Sequence, residues 1–215
     1  MRTNDFAPNS ICRTAFFAGH RDLVNEHTET LKEVVYQCLL DAYRAGYRRF
    51  FCGCAIGFDT LAAFQTIRLR EEYPDVCLSL AIPCPDQSLR WSASDQEIYR
   101  KLIASADEKI ILSPVYYQGV MLTRNRYMAD RSSLCICLLR NLQGGTASAV
   151  RYALKHKNMK IINLAVPDPY SRLQMRENIW SYIYISHSAG RNADTVHLRL
   201  SQGRKRNSRH TKICC

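Results

Sequence analysis

Short apolar runs alternate with amphipathic stretches from position 14 to about position 164, and the two periods predict the fold. The run at 14–18 reads as a first strand. Leu31, Val34, Val35, Cys38, Leu39 and Ala42 then recur at helical spacing until Gly46 ends the pattern. A second strand at 48–53 is followed by a helix with Asp59 as its expected N-cap, stopped near Glu72 by Pro74. A third strand is expected at 76–82. Ser94-Asp-Gln-Glu97 has capping-box spacing at the head of a helix that runs to about Ala106. Runs at 109–112, 134–139 and 160–164 complete the series, with a short helix centred on Arg126 and another from about Thr146 to His156.

Strand and helix in strict alternation imply an α/β, Rossmann-like open parallel sheet with helices on both faces and right-handed crossovers. The expected strand order is 3-2-1-4-5-6. In such a sheet a ligand sits outside the carboxyl ends of the strands, where the order reverses. Residues 14–167 form the expected domain, with an N-terminal extension at 1–13 and a C-terminal one at 168–215. In the latter, 173–185 reads as one more helix or strand. From about 199 the polar, basic composition predicts disorder.

At 215 residues and 47% hydrophobic, the chain has enough apolar material for one core. The first ten residues are polar, and no run of about 18 apolar residues occurs, so the expectation is a soluble, cytoplasmic protein without a membrane partner. Ten cysteines in a chain expected to carry no leader, five of them (Cys52, Cys54, Cys77, Cys135 and Cys137) in or just after strand-like runs, read as reduced core thiols. Cys52 with Cys54 and Cys135 with Cys137 are pairs on two strands. The expected strand order holds those pairs about 14 Å apart, too far for one zinc ion. No metal or other cofactor is implied.

The net charge of +11 is uneven, for nine basic against three acidic residues from Asp168 onward give that stretch +6. Positive charge suits an anionic partner: a phosphorylated small molecule on the body, or nucleic acid along the tail. A homo-oligomer is left open.

Four segments carry the candidate chemistry, and three directly follow strands. Gly144-Gly145-Thr146 precedes a helix, where free N–H groups, the helix dipole and a hydroxyl favour an anion. Gly53 and Gly57 bracket a similar turn, and Asp59 beyond them either caps the helix or meets a ribose hydroxyl. Neither the dinucleotide fingerprint nor a Walker lysine is present. Gly19-His20-Arg21 stands at the expected switch point, offering an Arg fork and a titratable ring. Arg124-Asn125-Arg126 places two guanidinium groups at a helix start, with at least one expected on the ligand. The segments 83–91 and 116–119 are candidate lids with aromatic rings.

Taken in order, these segments resemble the SLOG superfamily, which takes in the DprA/Smf proteins and the LOG cytokinin-activating hydrolases. Pro83 with Gln87 and Trp91, Ala106-Asp107, Met121 and Met128-Ala-Asp130 add to the likeness, which is strongest to the bacterial and phage YoqJ/YpsA-type group. The resemblance implies a pocket for a nucleotide or nucleotide-derived ligand, such as an ADP-ribose-like molecule, in a sensor or sequestering protein. Two alternatives stand beside it: a LOG-like N-glycosidic hydrolase of nucleoside monophosphates, and a DprA-like nucleic-acid-binding protein. LOG-type hydrolases carry a Glu three residues after the Thr of the glycine motif, and here that place holds Ala149. The expectation is therefore a binding protein rather than an enzyme, with Asp59 and Asp130 as the acids that would replace the Glu in the alternative.

Overall fold

The computed structural model describes residues 14–23, 28–155, 159–165, 183–185 and 198–200. In chain order its elements are β1 (Thr14–Gly19), α1 (Thr28–Arg44), β2 (Arg49–Cys52), α2 (Phe58–Glu72), β3 (Cys77–Ile82), α3 (Ala93–Ser105), β4 (Glu108–Ile111), α4 (Val120–Asp130), β5 (Leu134–Leu138), α5 (Gly144–Leu154), β6 (Lys160–Asn163), β7 (Ile183–Ile185) and β8 (Leu198–Leu200). The sheet order is β4-β3-β2-β1-β5-β6-β7-β8; the pairs among β1 to β6 are parallel, and β7 and β8 add antiparallel. The fold is thus the expected α/β Rossmann-like sheet. The N-terminal extension and most of the basic tail lie outside the described residues, although β8 reaches Leu200.

One strand is placed differently from the expected order. β4 lies at the free edge beside β3, and β5 takes the place next to β1. Burial explains the exchange. All five residues of β5 are buried, as a central strand covered on both faces requires, whereas Lys109 and Ile111 of β4 are exposed. The order therefore reverses between β1 and β5, and the loops that follow them flank the crevice.

The sheet buries one layer on each face. Phe17, Phe50 and Ile136 pack with Leu31 and Leu39 of α1, Leu61 of α2 and Leu102 of α3, while Phe16, Phe51 and Cys135 pack with Met128 of α4 and Val150 of α5. Cys52 and Cys54 belong to the first layer and Cys135 and Cys137 to the second. The pairs are thus two strand spacings apart, about 10 Å rather than 14 Å, and they face opposite sides. Among the described residues no His, Cys, Asp or Glu cluster could hold a metal ion, and no helix is long and apolar enough to cross a membrane.

Three helix starts differ from the sequence expectation. Ser92, not Ser94, caps α3, its hydroxyl accepting the Asp95 N–H at 3.1 Å. The helix expected from Thr146 begins at Gly144. α2 begins at Phe58 with Gly57 as N-cap, so Asp59 is not the cap. Phe58 instead donates its N–H to the His20 carbonyl at 3.1 Å, and a neighbouring loop does what a capping side chain would do.

Candidate functional site

A cavity of about 400 Å³ opens where the strand order reverses. Phe17, Ala18, Gly19, His20 and Arg21 line it from β1 and its loop, Ala55 from the loop after β2 and Asp59 from the start of α2. Met121, Arg124 and Asn125 come from α4, and Gln143, Gly144, Gly145, Thr146 and Ala149 from α5. Nine of the twelve sequence-named residues are therefore in the wall, and Gly53, Gly57 and Arg126 are not.

The start of α5 is the most open part of that wall. Its N-cap, Gln143, makes no side-chain capping bond, and residues 143–145 are exposed. An added Cβ at Gly144 or Gly145 would meet nothing within 4 Å. The first N–H groups of an α-helix have no partner within the helix, so this uncapped end presents donors and a positive dipole end to the cavity. The Thr146 hydroxyl is used differently from the sequence expectation: it donates to the Gly19 carbonyl at 2.8 Å and ties α5 to the end of β1. His20 has a similar structural task. Its Nε2 accepts the N–H groups of Arg140 at 2.9 Å and Asn141 at 3.4 Å, and burial together with the Arg140 charge lowers its pKa. Arg140 also donates to the Asp22 carbonyl at 2.8 Å, so the loops after β1 and β5 hold each other.

Behind the cavity the loop after β2 is clamped from two sides. Arg124 donates from Nη1 to the Gly53 carbonyl at 2.8 Å, and from Nε and Nη2 to the Asn125 side-chain oxygen at 3.1 and 2.8 Å. Gln87 donates to the Gly53 and Cys54 carbonyls at 3.1 and 3.0 Å. An added Cβ at Gly53 would lie 2.7 Å from the Arg124 guanidinium, so only glycine lets that group settle on the strand end. Gly57 is required twice over, by its φ of +89° and by the Arg21 carbonyl against it. Cys54 holds a φ of 55°, a left-handed conformation rare outside glycine, and the clamp on its carbonyl holds it there.

Asp59 is 3% exposed in this wall. Burial pushes its pKa up from 3.8 to about 6, against the Arg124 charge and the N–H groups of Ala55, Gly19 and Gly53, which pull it down. The folded state thus holds a proton that the unfolded chain has released by pH 6. Above that pH the charged form costs stability, and below about pH 4 the cost vanishes. At 1.36 kcal/mol per pKa unit the cost near neutrality is roughly 2–3 kcal/mol. Asp59→Asn is therefore expected to melt higher than the parent at pH 7.5, with the two melting curves converging as the pH falls from 6 to 4. Equal melting at pH 7.5 would show that the carboxylate is not strained by burial.

The remaining sequence candidates lie elsewhere. Arg126 is exposed, its guanidinium 5.5 Å from the centre of the Tyr152 ring, and Asp130 accepts the Tyr152 hydroxyl at 2.8 Å. Trp91 packs edge-on to Tyr99 at 5.4 Å, and Tyr116 and Tyr117 are exposed; none of the three lines the cavity. Met121 and Gln143 are wall residues that were not among the named site residues, and the glycine loop beside Gln143 was the signal for it. A larger cleft of about 510 Å³ between α1, α2 and α3 is lined mainly by apolar groups such as Ile56, Phe64, Trp91 and Ile98. It lacks the convergent donors of the smaller cavity.

Comparison with known proteins agrees with this architecture. The model of the YspA SLOG family matches residues 20–168. The SPbeta prophage-derived protein YoqJ of Bacillus subtilis is 27% identical over 119 residues, covering 50% of this chain and 70% of that protein. The UPF0398 protein YpsA of Bacillus subtilis is 24% identical over 47% of this chain and 58% of its own length, so the match spans little more than half of that relative. Among solved structures, DNA processing protein A of Streptococcus pneumoniae superposes with a TM-score of 0.52 at 12% identity, covering 78% of this chain and 57% of that one, a likeness of fold.

Proposed function

The chain belongs to the YspA SLOG family, and on that premise we propose that the cavity between β1 and β5 binds a nucleotide or nucleotide-derived molecule, in a protein that senses or sequesters it. The observation that carries this reading is the uncapped N-terminus of α5, with Gly144 and Gly145 open to a cavity of about 400 Å³. A phosphate accepts hydrogen bonds from such an end and gains from its dipole. The cavity volume is that of a small-molecule site.

One position supports binding over hydrolysis: Ala149 lines the cavity at the place where the LOG-type motif has its Glu. Of the two acids that would replace it, Asp130 is not in the lining and Asp59 is, so hydrolysis would have to run through Asp59. A thermal-shift screen at pH 7.5 with AMP, ADP, ADP-ribose and cyclic nucleotides tests the reading. At least one should raise the melting temperature, because a ligand at a hundred times its Kd stabilises by about 2.7 kcal/mol. No shift with any phosphorylated nucleoside would remove the main support for it.

A further inference from the structure

The helices that line the cavity approach it from the two faces of the sheet: α2, which carries Asp59, packs on one, and α5 on the other. One side thus offers N–H donors and the other a carboxylate, which accepts hydrogen bonds and donates none. We propose that Asp59 makes the site selective for a ribose with a free cis-diol: the phosphate rests on the start of α5, and the sugar hydroxyls donate to the Asp59 carboxylate. This inference rests on the nucleotide reading above and goes beyond it by naming the sugar. Ribonucleotides fit; 2′-deoxyribonucleotides, or a ribose bearing a further phosphate at the diol, do not.

Two simpler roles do not account for Asp59. It is not the N-cap of α2, since Gly57 holds that position. The first-turn dipole and the Gly19, Gly53 and Ala55 N–H groups stabilise its charge, yet burial still leaves its pKa raised, so these interactions do not offset the cost of a carboxylate in this wall.

The charged and titratable surroundings fit a hydroxyl. Arg124 from α4 is the cation beside Asp59, with three of its donor directions already committed to Gly53 and Asn125. His20 and Arg21 reach the same cavity from the loop after β1; the Cys52 thiol on β2 and the Cys135 thiol on β5 are electrostatic neighbours of Asp59, and burial pushes both well up in pKa. The N–H groups of Gly19, Gly53 and Ala55 already favour the Asp59 carboxylate. A phosphate brought there meets a negative charge in a place shielded from water, where repulsion is strong. A hydroxyl adds a further donor to an acceptor that already holds N–H groups, and a deoxy sugar brings one donor fewer.

Calorimetric titration of the full chain with the four ribonucleoside 5′-monophosphates, their 2′-deoxy counterparts and the corresponding 3′,5′-bisphosphates reads this directly at pH 7.5. The parent should prefer the ribonucleotide it binds best over its deoxy counterpart by roughly 10- to 100-fold, the usual worth of a hydrogen bond to a charged group. The bisphosphate should bind at least about tenfold more weakly than the monophosphate. In Asp59→Asn both ratios should shrink to within about threefold, because the neutral amide neither repels phosphate nor accepts as strongly. At pH 5 the ligand phosphates also lose charge, so the pH comparison is run on both proteins, and only a gain in bisphosphate tolerance that the parent shows and Asp59→Asn lacks belongs to Asp59. Equal binding of ribo and deoxy forms by the parent, or an unchanged ratio in the variant, overturns the assignment of the diol to Asp59 while leaving the phosphate site standing. Failure of every nucleotide to bind both proteins overturns the nucleotide reading and this inference with it.

Discussion

Replacing Arg124 by alanine is expected to lower the stability of the protein by about 3–4 kcal/mol, a drop of roughly 10 °C in melting temperature for a domain of this size. The side chain is buried and makes three hydrogen bonds, two of them to the Asn125 side-chain oxygen. Its loss leaves that oxygen unpaired and leaves Gln87 alone on the Gly53 carbonyl. It also removes the positive charge that opposes the burial of Asp59, so the Asp59 pKa should rise beyond about 6. Arg124→Lys separates the two effects. It keeps a charge near Asp59 but not the planar fork on Asn125, and should cost about half as much. Thermal and urea melts of the two variants provide the check, together with the pH at which Asp59 titrates. A melting temperature within 2 °C or so of the parent for the alanine variant would show that the loop after β2 does not depend on this clamp.

The periodic part of this architecture is legible in the chain. The runs that become β1, β2, β3 and β5 are largely apolar on both faces because helices cover both, and the helices between them show their inward stripes. Glycine segments after strands mark the loops around the cavity, since an open sheet brings every such loop to one end. The lateral position of β4 is not written in its own spacing. The adjacent Glu108 and Lys109 were the available hint of an edge, and Glu108 reaches back across the sheet to Arg49 at 3.0 Å.

The choice between Arg124 and Arg126 turns on helical phase. Arg124, Asn125 and Met128 share the buried side of α4 with Val120, while Arg126 points to solvent. That phase can be read from Met121, Arg124, Asn125 and Met128 at helical spacing. What no local pattern shows is that a backbone carbonyl from the loop after β1 would take the capping role given to Asp59, or that Gly19 would take the Thr146 hydroxyl. Both are contacts between segments far apart in the chain, and they exist only once the strands are side by side.

An aspartate at position 145 is expected to abolish phosphate binding while leaving the fold intact, the largest change in binding that one substitution in this wall should cause. Gly145 is the second residue of α5, where a carboxylate gains about 0.3–1 kcal/mol from the helix dipole, and its added Cβ meets open space. The same carboxylate would sit on the N–H groups that a ligand phosphate needs, and repel it. Calorimetric titration of the parent and of Gly145→Asp with the four ribonucleoside 5′-monophosphates, with the parent nucleosides as controls, puts the central claim to its most direct test. The account predicts that the parent binds at least one monophosphate more tightly than its nucleoside, and that the variant melts no lower than the parent yet loses at least about 30-fold in affinity, some 2 kcal/mol. A well-folded Gly145→Asp protein that binds the same nucleotide as tightly as the parent would contradict it.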